Sequence, residues 1–589
     1  MLKKNVLFLL LISILFIACD PTTTEEFPEA PENPATPKFQ DLLLSTDKAA
    51  YNPGETVHFS LETTALPSGA KVRYKYLYDE IETVDLTETH WQWTPPANDF
   101  RGYMAEVFSL VNGVEKIHAT TGIDVSSNWT KFPRYGFLTD FGNLSQERID
   151  EVLDNLNKYH INGLQYYDWL GKHHQPLTMN GNVPATSWQD ISNKEVVFST
   201  VDKYIKSGHK RNIRSTFYNL IYGAWENAEN DGVKKEWYIF NDNTHINRDY
   251  HPLSSPFLSN IYLLDPSNSE WQVYAINETK KVYQFLDFDG FHMDQLGNRK
   301  DPRYTYQGKD LILANTYQPF IEAFQTAIPD KINVLNAVSQ YGQQGIAAAP
   351  TPFLYTEVWT PYDRYNDLAT IIKQNNVLSN YQKNTVLAAY MNYNLANNPG
   401  YFNTASVLMT NAVIFAFGGA HIELGEHMLG KEYFPSNNLQ MKEDLKKALI
   451  NYYDFLTAYQ NLLRDGGNFN TVTINSIDHK LGLEPWPALT GKVAYFGKLF
   501  SDKQVIHFIN LTNAISLEWR DNDGVQPPPV VIEDAKISLS FTETVQKIWI
   551  ASPDFAGGIA RSLNFKQVGT KVSFRLPELQ YWNMLVVEF

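Results

Sequence analysis

The sequence predicts a multidomain protein in which a central (β/α)8 TIM barrel is flanked by an N-terminal immunoglobulin-like β-sandwich and a C-terminal antiparallel β-sandwich. Three observations predict it. Short, partly alternating apolar runs separated by turn residues fill the N-terminal part. Beyond Trp129, eight apolar runs alternate with helical patterns over roughly 290 residues, the size of one barrel. After Pro487 the short-strand rhythm returns and continues to Phe589. At 589 residues the chain is also too long for a single core.

The chain begins Met1-Leu-Lys-Lys4 and then runs apolar over residues 6–17, a basic start and a segment short for a bilayer span, as in a signal peptide. This segment ends Phe16-Ile-Ala-Cys19, and Cys19 is the one cysteine of the chain. The pattern resembles a bacterial lipoprotein signal, in which cleavage precedes the cysteine and its thiol receives the lipid. It implies removal of residues 1–18, lipidation of Cys19, and a protein anchored in the bacterial cell envelope, facing the periplasm or the cell surface. Membrane contact is then expected only through that anchor. A single cysteine excludes an intrachain disulfide and a Cys-rich metal site. Residues 19–37, rich in Pro, Thr and Glu, cannot build a core and are expected to form a flexible tether.

Residues 38–126 carry the first sandwich. Thr56-Val-His-Phe-Ser-Leu, Lys71-Val-Arg-Tyr-Lys-Tyr and Gly102-Tyr-Met-Ala-Glu-Val-Phe-Ser-Leu are strand-like, with Asn52-Pro-Gly54 and Pro67-Ser-Gly69 as turns. Trp91 and Trp93 are read as core or interface residues. The barrel spans residues 127–490. Its expected strands begin at Tyr135, Ile161, Asn212, Gly290, Lys331, Pro352, Thr385 and Val413, the last running Val413-Ile-Phe-Ala-Phe417. Ser145 is placed to cap the first helix, and one long helix is expected from Met441 to Leu463. An open doubly wound sheet is the alternative, but no Gly-x-Gly-x-x-Gly or Walker pattern supports it. Residues 491–589 carry the C-terminal sandwich.

Composition narrows the partners. A formal net charge of -16, with no basic tract to offset it, argues against nucleic acid. An aromatic share of 14%, including 13 Trp and 34 Tyr, is high: such rings fill cores, and carbohydrate sites also use them to stack on neutral sugar faces.

Two runs carry the chemistry. Gly290-Phe-His-Met-Asp294 and Pro352-Phe-Leu-Tyr-Thr-Glu357 each end in a carboxylate, and the strand count puts them at the ends of the fourth and sixth strands. On a barrel, strand C-termini surround the mouth, so Asp294 and Glu357 are expected to meet there. A pair of acids flanked by aromatics suits acid/base or nucleophilic work on a sugar. Structural acids in ion pairs are the alternative for each taken alone. Asp289 rivals Asp294 but begins its strand, toward the opposite rim; Glu423 and Glu426 rival Glu357 from a Gly-rich loop. Asp140, Tyr167, Asp168, Asn219, Asn336, Asn392, His421 and Glu423 are candidates for binding sugar hydroxyls, with Asp168 and His421 foremost. His292 can share the inward face with Asp294. Trp169, Trp225, Trp359 and Tyr362 are candidate stacking platforms. No metal is expected: His173 and His174 are adjacent, and Glu423-Leu-Gly-Glu-His427 is not the zinc-helix pattern.

Asp289-Gly-Phe-His-Met-Asp294-Gln-Leu-Gly, Tyr355-Thr-Glu357-Val-Trp359 and Gly419-Ala-His421-Ile-Glu-Leu-Gly425 resemble motifs of glycoside hydrolase family 66, which contains endo-dextranases and cycloisomaltooligosaccharide glucanotransferases. The likeness runs from about residue 39 to the end. It implies retaining, cofactor-free hydrolysis of α-1,6-glucosidic linkages, with Asp294 as nucleophile, Glu357 as general acid/base, and dextran and isomaltooligosaccharides as partners. The family's transferases carry an extra carbohydrate-binding insertion in late barrel loops, for which this chain has no room between Met391 and Met441. That favours a dextranase. The alternatives are the glucanotransferase and a non-catalytic glycan-binding lipoprotein.

Overall fold

A computed structural model of the protein describes residues 27–40, 42–300 and 302–589. The expected signal peptide and Cys19 lie outside the described residues.

Eight strand–helix units fill the middle of the chain. The strands are β1 (Tyr135–Leu138), β2 (Gly163–Tyr166), β3 (Arg214–Leu220), β4 (Gly290–Asp294), β5 (Ile332–Leu335), β6 (Leu354–Glu357), β7 (Thr385–Ala388) and β8 (Ala420–His421). Each is followed by a helix: α1 (Gln146–Asn157), α2 (Phe198–Lys210), α3 (Ser269–Phe285), α4 (Tyr317–Ala327), α5 (Gln343–Ala348), α6 (Tyr365–Leu378), α7 (Thr404–Ala416) and α8 (Glu443–Ala458). β1 to β5 form one parallel sheet in sequence order, and β6 to β8 form a second. A parallel bridge from Asn336 to Tyr355 joins β5 to β6. The Phe137 N–H donates to the Leu424 carbonyl at 3.1 Å, joining β1 to the chain just past β8.

Local chemistry explains these elements. Ser145 caps α1 by accepting from the Arg148 N–H at 3.2 Å, and Asn268 and Asn403 cap α3 and α7 in the same way. Gly290 opens β4 because a Cβ there would collide with Ile332 of β5. Period-two alternation sorts the strand side chains. One face contributes Tyr135, Phe137, Val334, Tyr355, Val386, Ala388, Ala420 and Ile422 to one buried cluster, while the other faces the helices in the largest core.

The eighth expected strand is corrected. Residues 413–417 lie in or just past α7, which is buried on all sides. An all-apolar run carries no period by which strand and helix can be told apart. The strand is instead Ala420–His421. The long helix expected to follow breaks at Tyr459 into α8 and a short turn, Gln460–Leu463.

Before this array, a five-stranded and a three-stranded sheet share a core that holds Trp93. Tyr74 stacks on Trp93 at 4.1 Å and Phe59 on Trp91 at 5.1 Å, so Trp93 is a core residue and the half-buried Trp91 packs against that core. After the array, a seven-stranded and a four-stranded sheet enclose another core. The described part of the expected tether is not free over its whole length: Asn33 donates to the Arg575 carbonyl at 2.8 Å and Arg575 to the Ala30 carbonyl at 3.2 Å. Its prolines hold it extended, and its polar groups find partners on the last sheet. One excursion from the C-terminal sheets, residues 511–531, leaves after strand Lys503–Asn510, runs along α6 and α7, and returns as strand Ile532–Ser540. There the Tyr365 N–H donates to the Leu517 carbonyl at 3.0 Å, and Thr410 donates to the Trp519 carbonyl at 3.1 Å.

Candidate active site

Asp294 is the last residue of β4 and Glu357 the last of β6, so the carboxyls stand at the same rim of the strand array. Asn336, one residue past β5, lies between them. Its Nδ2 donates to Asp294 Oδ1 at 2.9 Å and to Glu357 Oε2 at 3.0 Å. Its Oδ1 accepts from the Glu357 backbone N–H at 3.0 Å. A backbone N–H only donates, so the amide can sit only one way round. With both contacts on one nitrogen, the ~120° opening of a planar amide's N–H bonds sets the two oxygens about 5 Å apart.

The remaining oxygens are also held. Tyr218, from β3, donates to Asp294 Oδ2 at 2.8 Å, and the Gln295 N–H to Oδ1 at 2.8 Å. Tyr390, two residues past β7, donates to Glu357 Oε1 at 2.7 Å. Burial keeps both tyrosines protonated, raised well above the ordinary phenol range. Glu357 is pushed up to about 7, chiefly by removal from water and further by the Asp294 charge, against donors from Tyr390, Asn336 and Trp359. Removal from water raises Asp294 too, while Asn336, Tyr218 and the Gln295 N–H pull it back. Near neutral pH Glu357 can therefore still carry a proton within reach of the oriented Asp294 carboxyl. The site can donate a proton to a leaving oxygen on one side and attack a carbon on the other.

The carboxyls open into a cleft of about 480 Å³. Of the sequence-expected residues, Tyr167, Asp168, His292, Asn336 and Trp359 line it with Asp294 and Glu357. Asp168 has φ +48° and a carboxyl raised well above its ordinary range by burial and then by Asp190 and Asp294. Burial holds His292 neutral, at about 3, and it pairs with the Tyr135 hydroxyl at 3.1 Å rather than with Asp294.

The other expected residues lie elsewhere. His421 sits between the Asn411 Oδ1 and the Ala389 carbonyl, each at 2.8 Å, and Glu423 accepts from Asn411 at 2.7 Å and Tyr453 at 3.0 Å. Because β8 is Ala420–His421, the odd-numbered residues turn outward to α7 and α8 while Ala420 and Ile422 face inward. Trp169 is fully buried against Trp188, Phe217 and Phe288, with no face for a sugar. Asn219 donates to the His173 carbonyl at 2.8 Å, and the Trp225 indole to His173 Nδ1 at 3.1 Å, so both brace loops. Asn392, buried with φ +53°, donates to the Asp521 carbonyl at 2.8 Å. The Tyr362 carbonyl accepts from the Trp519 indole at 2.7 Å, and its ring does not line the cleft. Asp140 lines a neighbouring hollow with Glu426, which takes its backbone N–H at 2.9 Å. Asp289 is at the far rim, paired with His209 at 2.8 Å.

Sequence reasoning missed Tyr218, Tyr390, Glu432, Tyr433 and Phe434, all of which line the cleft. Tyr218 was within reach, because it pairs in register with His292 and so shares the face of Asp294. The 432–434 segment is loop and carries no periodic signal.

This is the constellation of an enzyme that works with two carboxyls, and the chain's relatives give the class. The chain belongs to glycosyl hydrolase family 66, whose sequence profile matches residues 46–586. It is 27% identical to a cycloisomaltooligosaccharide glucanotransferase of Niallia circulans, over all of this chain and 75% of that protein. It is 24% identical to a dextranase of Streptococcus salivarius, over 79% of this chain and 65% of that one. Among solved structures it resembles a Paenibacillus sp. cycloisomaltooligosaccharide glucanotransferase complexed with cycloisomaltoheptaose, with a TM-score of 0.86 at 26% identity, over 93% of this chain and 100% of that one. The protein is a multidomain, sheet-rich glycosidase.

Proposed function

We propose that this chain is an endo-acting dextranase that cleaves α-1,6-glucosidic linkages with retention of configuration. The Asn336 bridge carries the reading, because it fixes the two carboxyls at the spacing of about 5 Å that a retaining mechanism needs. Glu357 gives its proton to the glycosidic oxygen while ionised Asp294 attacks the anomeric carbon, forming a glycosyl-enzyme. Glu357, now ionised, takes a proton from water as the water attacks that carbon, and Asp294 leaves. Two displacements restore the α configuration. Tyr218 and the Gln295 N–H hold the Asp294 carboxylate in line for attack, and Tyr390 holds Glu357. Trp359 and Tyr433 supply rings, and Asp168 a hydroxyl partner, for the sugar.

Hydrolysis rather than cyclisation is supported by the compact stretch from β7 to α8. The Niallia glucanotransferase alignment extends over 747 positions, more than the 589 residues of this chain, so that relative carries segments this chain lacks. The eight units, their register and the two links between sheets support a closed (β/α)8 barrel over residues 127–490. The paired sheets on either side support an immunoglobulin-like sandwich over 38–126 and a C-terminal sandwich over 491–589. The N-terminal sequence supports lipidation at Cys19 and attachment to the cell envelope.

Incubation with dextran tests the activity. A ladder of linear isomaltooligosaccharides, abolished in Asp294→Asn and Glu357→Gln, is the expected result. Cyclic products would turn the assignment to a transferase, and binding without products would overturn catalysis.

A further inference from the structure

The 511–531 excursion belongs to the C-terminal sheets, yet it ends its climb directly behind Glu357. Trp519 is fully buried at its tip and is fixed by two bonds to the loop after β6: its indole to the Tyr362 carbonyl at 2.7 Å and its N–H to the Asp363 carbonyl at 3.1 Å. Arg520 is then pressed inward, with 9% of its surface exposed. Its guanidinium donates to the Val358 carbonyl at 2.9 Å and to the Tyr390 carbonyl at 3.2 Å. Its carbon centre lies 4.8 Å from the Trp359 ring, 4.5 Å from its neighbour Trp519 and 5.3 Å from Tyr393. The Asn392 N–H closes the contact by donating to the Arg520 carbonyl at 2.8 Å.

These partners have one thing in common. Val358 follows Glu357 in the chain, Tyr390 donates to Glu357 Oε1, and Trp359 is the third donor to that carboxyl. β6 and β7 end side by side here, and a planar fork with several fixed donors is suited to tie two adjacent strand ends together.

We infer that Arg520 is a positioning residue for the catalytic acid, through which the C-terminal sheets hold Val358, Trp359 and Tyr390 in the arrangement that orients Glu357. The inference rests on the reading of Glu357 as general acid/base. Arg520 backs Trp359 and Tyr390 without itself lining the cleft, and is not itself catalytic. The titratable groups that face Glu357 are Asp294 from β4, Tyr355 from its own strand, Tyr167 from beyond β2, and Tyr390 and Tyr393 from beyond β7. Arg520 acts on two of these directly, by bonding the Tyr390 carbonyl and packing on the Tyr393 ring.

The test compares full-length wild type, Arg520→Lys, Arg520→Met and the control Ile515→Ser, an exposed position on the same excursion. Dextran hydrolysis is measured across pH, with folded enzyme quantified by its melting transition. Arg520→Met is expected to lower kcat roughly 10- to 100-fold, the cost of displacing a catalytic group by a fraction of an ångström to 1 Å, with KM within about twofold. The alkaline limb of kcat/KM should move to higher pH, because slack Tyr390 and Trp359 donors favour protonated Glu357. Arg520→Lys, with one point charge in place of the fork, should fall between wild type and Arg520→Met on both readouts. Ile515→Ser should match wild type. If folded Arg520→Met or Arg520→Lys keeps the wild-type kcat and pH profile, or loses activity with an unshifted profile, the inference is overturned. An inactive wild type would instead refute the reading of Glu357 on which it rests.

Discussion

Replacing Asn336 with alanine removes one side chain that does three things at once. It donates to Asp294 and to Glu357 and accepts from the Glu357 N–H. A hydrogen bond to a charged acceptor contributes about 1.5–3 kcal/mol. As Asp294 leaves the glycosyl-enzyme its charge returns and this bond strengthens, so losing it should slow that step by up to about 10- to 150-fold. The same amide pulls down the proton affinity of both carboxyls. Without it both rise, so the alkaline limb set by Glu357, which starts from about 7, should move up, and the acid limb set by Asp294 should move up with it. Steady-state rates on dextran across the pH range give both limbs and kcat in one experiment. A variant with wild-type kcat and unmoved limbs would refute the bridge as the element that organises the pair.

Tyr390→Phe deletes the donor to Glu357 Oε1 but leaves Asp294 untouched, so pH–rate profiles should show the alkaline limb alone moving up. Glu357→Gln should change the pH dependence of stability. A carboxyl whose folded pKa is raised stabilises the fold below its unfolded value and loses that contribution as pH rises through about 7. Thermal melts should therefore show the variant gaining on wild type from about pH 4.5 to 7, at up to roughly 1.4 kcal/mol per pH unit. Trp169→Ala should cost about 3–5 kcal/mol of stability by denaturant unfolding, without raising KM in the folded fraction, whereas Trp359→Ala should impair turnover and sugar binding with a smaller loss of stability.

What the sequence made legible follows from which signals are local. The strands ending in Asp294 and Glu357 were readable because a short apolar run closed by an acid and a turn is a local pattern, and counting units then put both at one rim. Asn336 was found for the same reason, one residue past its strand. β8 is misplaced from sequence because α7 is buried nearly all round and ends in an unbroken apolar run, while the true strand has only two residues, too few for a period. That shift also turned His421 and Glu423 outward, since side-chain direction in a strand alternates residue by residue. Trp169 reads as a platform in the sequence because an indole at a strand end looks the same whether it faces water or three neighbouring rings. Tyr390, Tyr433 and Arg520 reach the site through tertiary contacts between segments far apart in the chain, and no local pattern announces such contacts.

The central claim is that Asp294 forms a covalent bond to the sugar while Glu357 supplies the proton. Incubating the enzyme with an isomaltosyl fluoride that carries fluorine beside the anomeric carbon should slow breakdown of that intermediate enough for peptide mass spectrometry. The account predicts a glycosyl mass on the peptide bearing Asp294. Label on a peptide bearing Asp168, Asp289 or Glu357 instead, or complete turnover with no labelled peptide at any time, would contradict it.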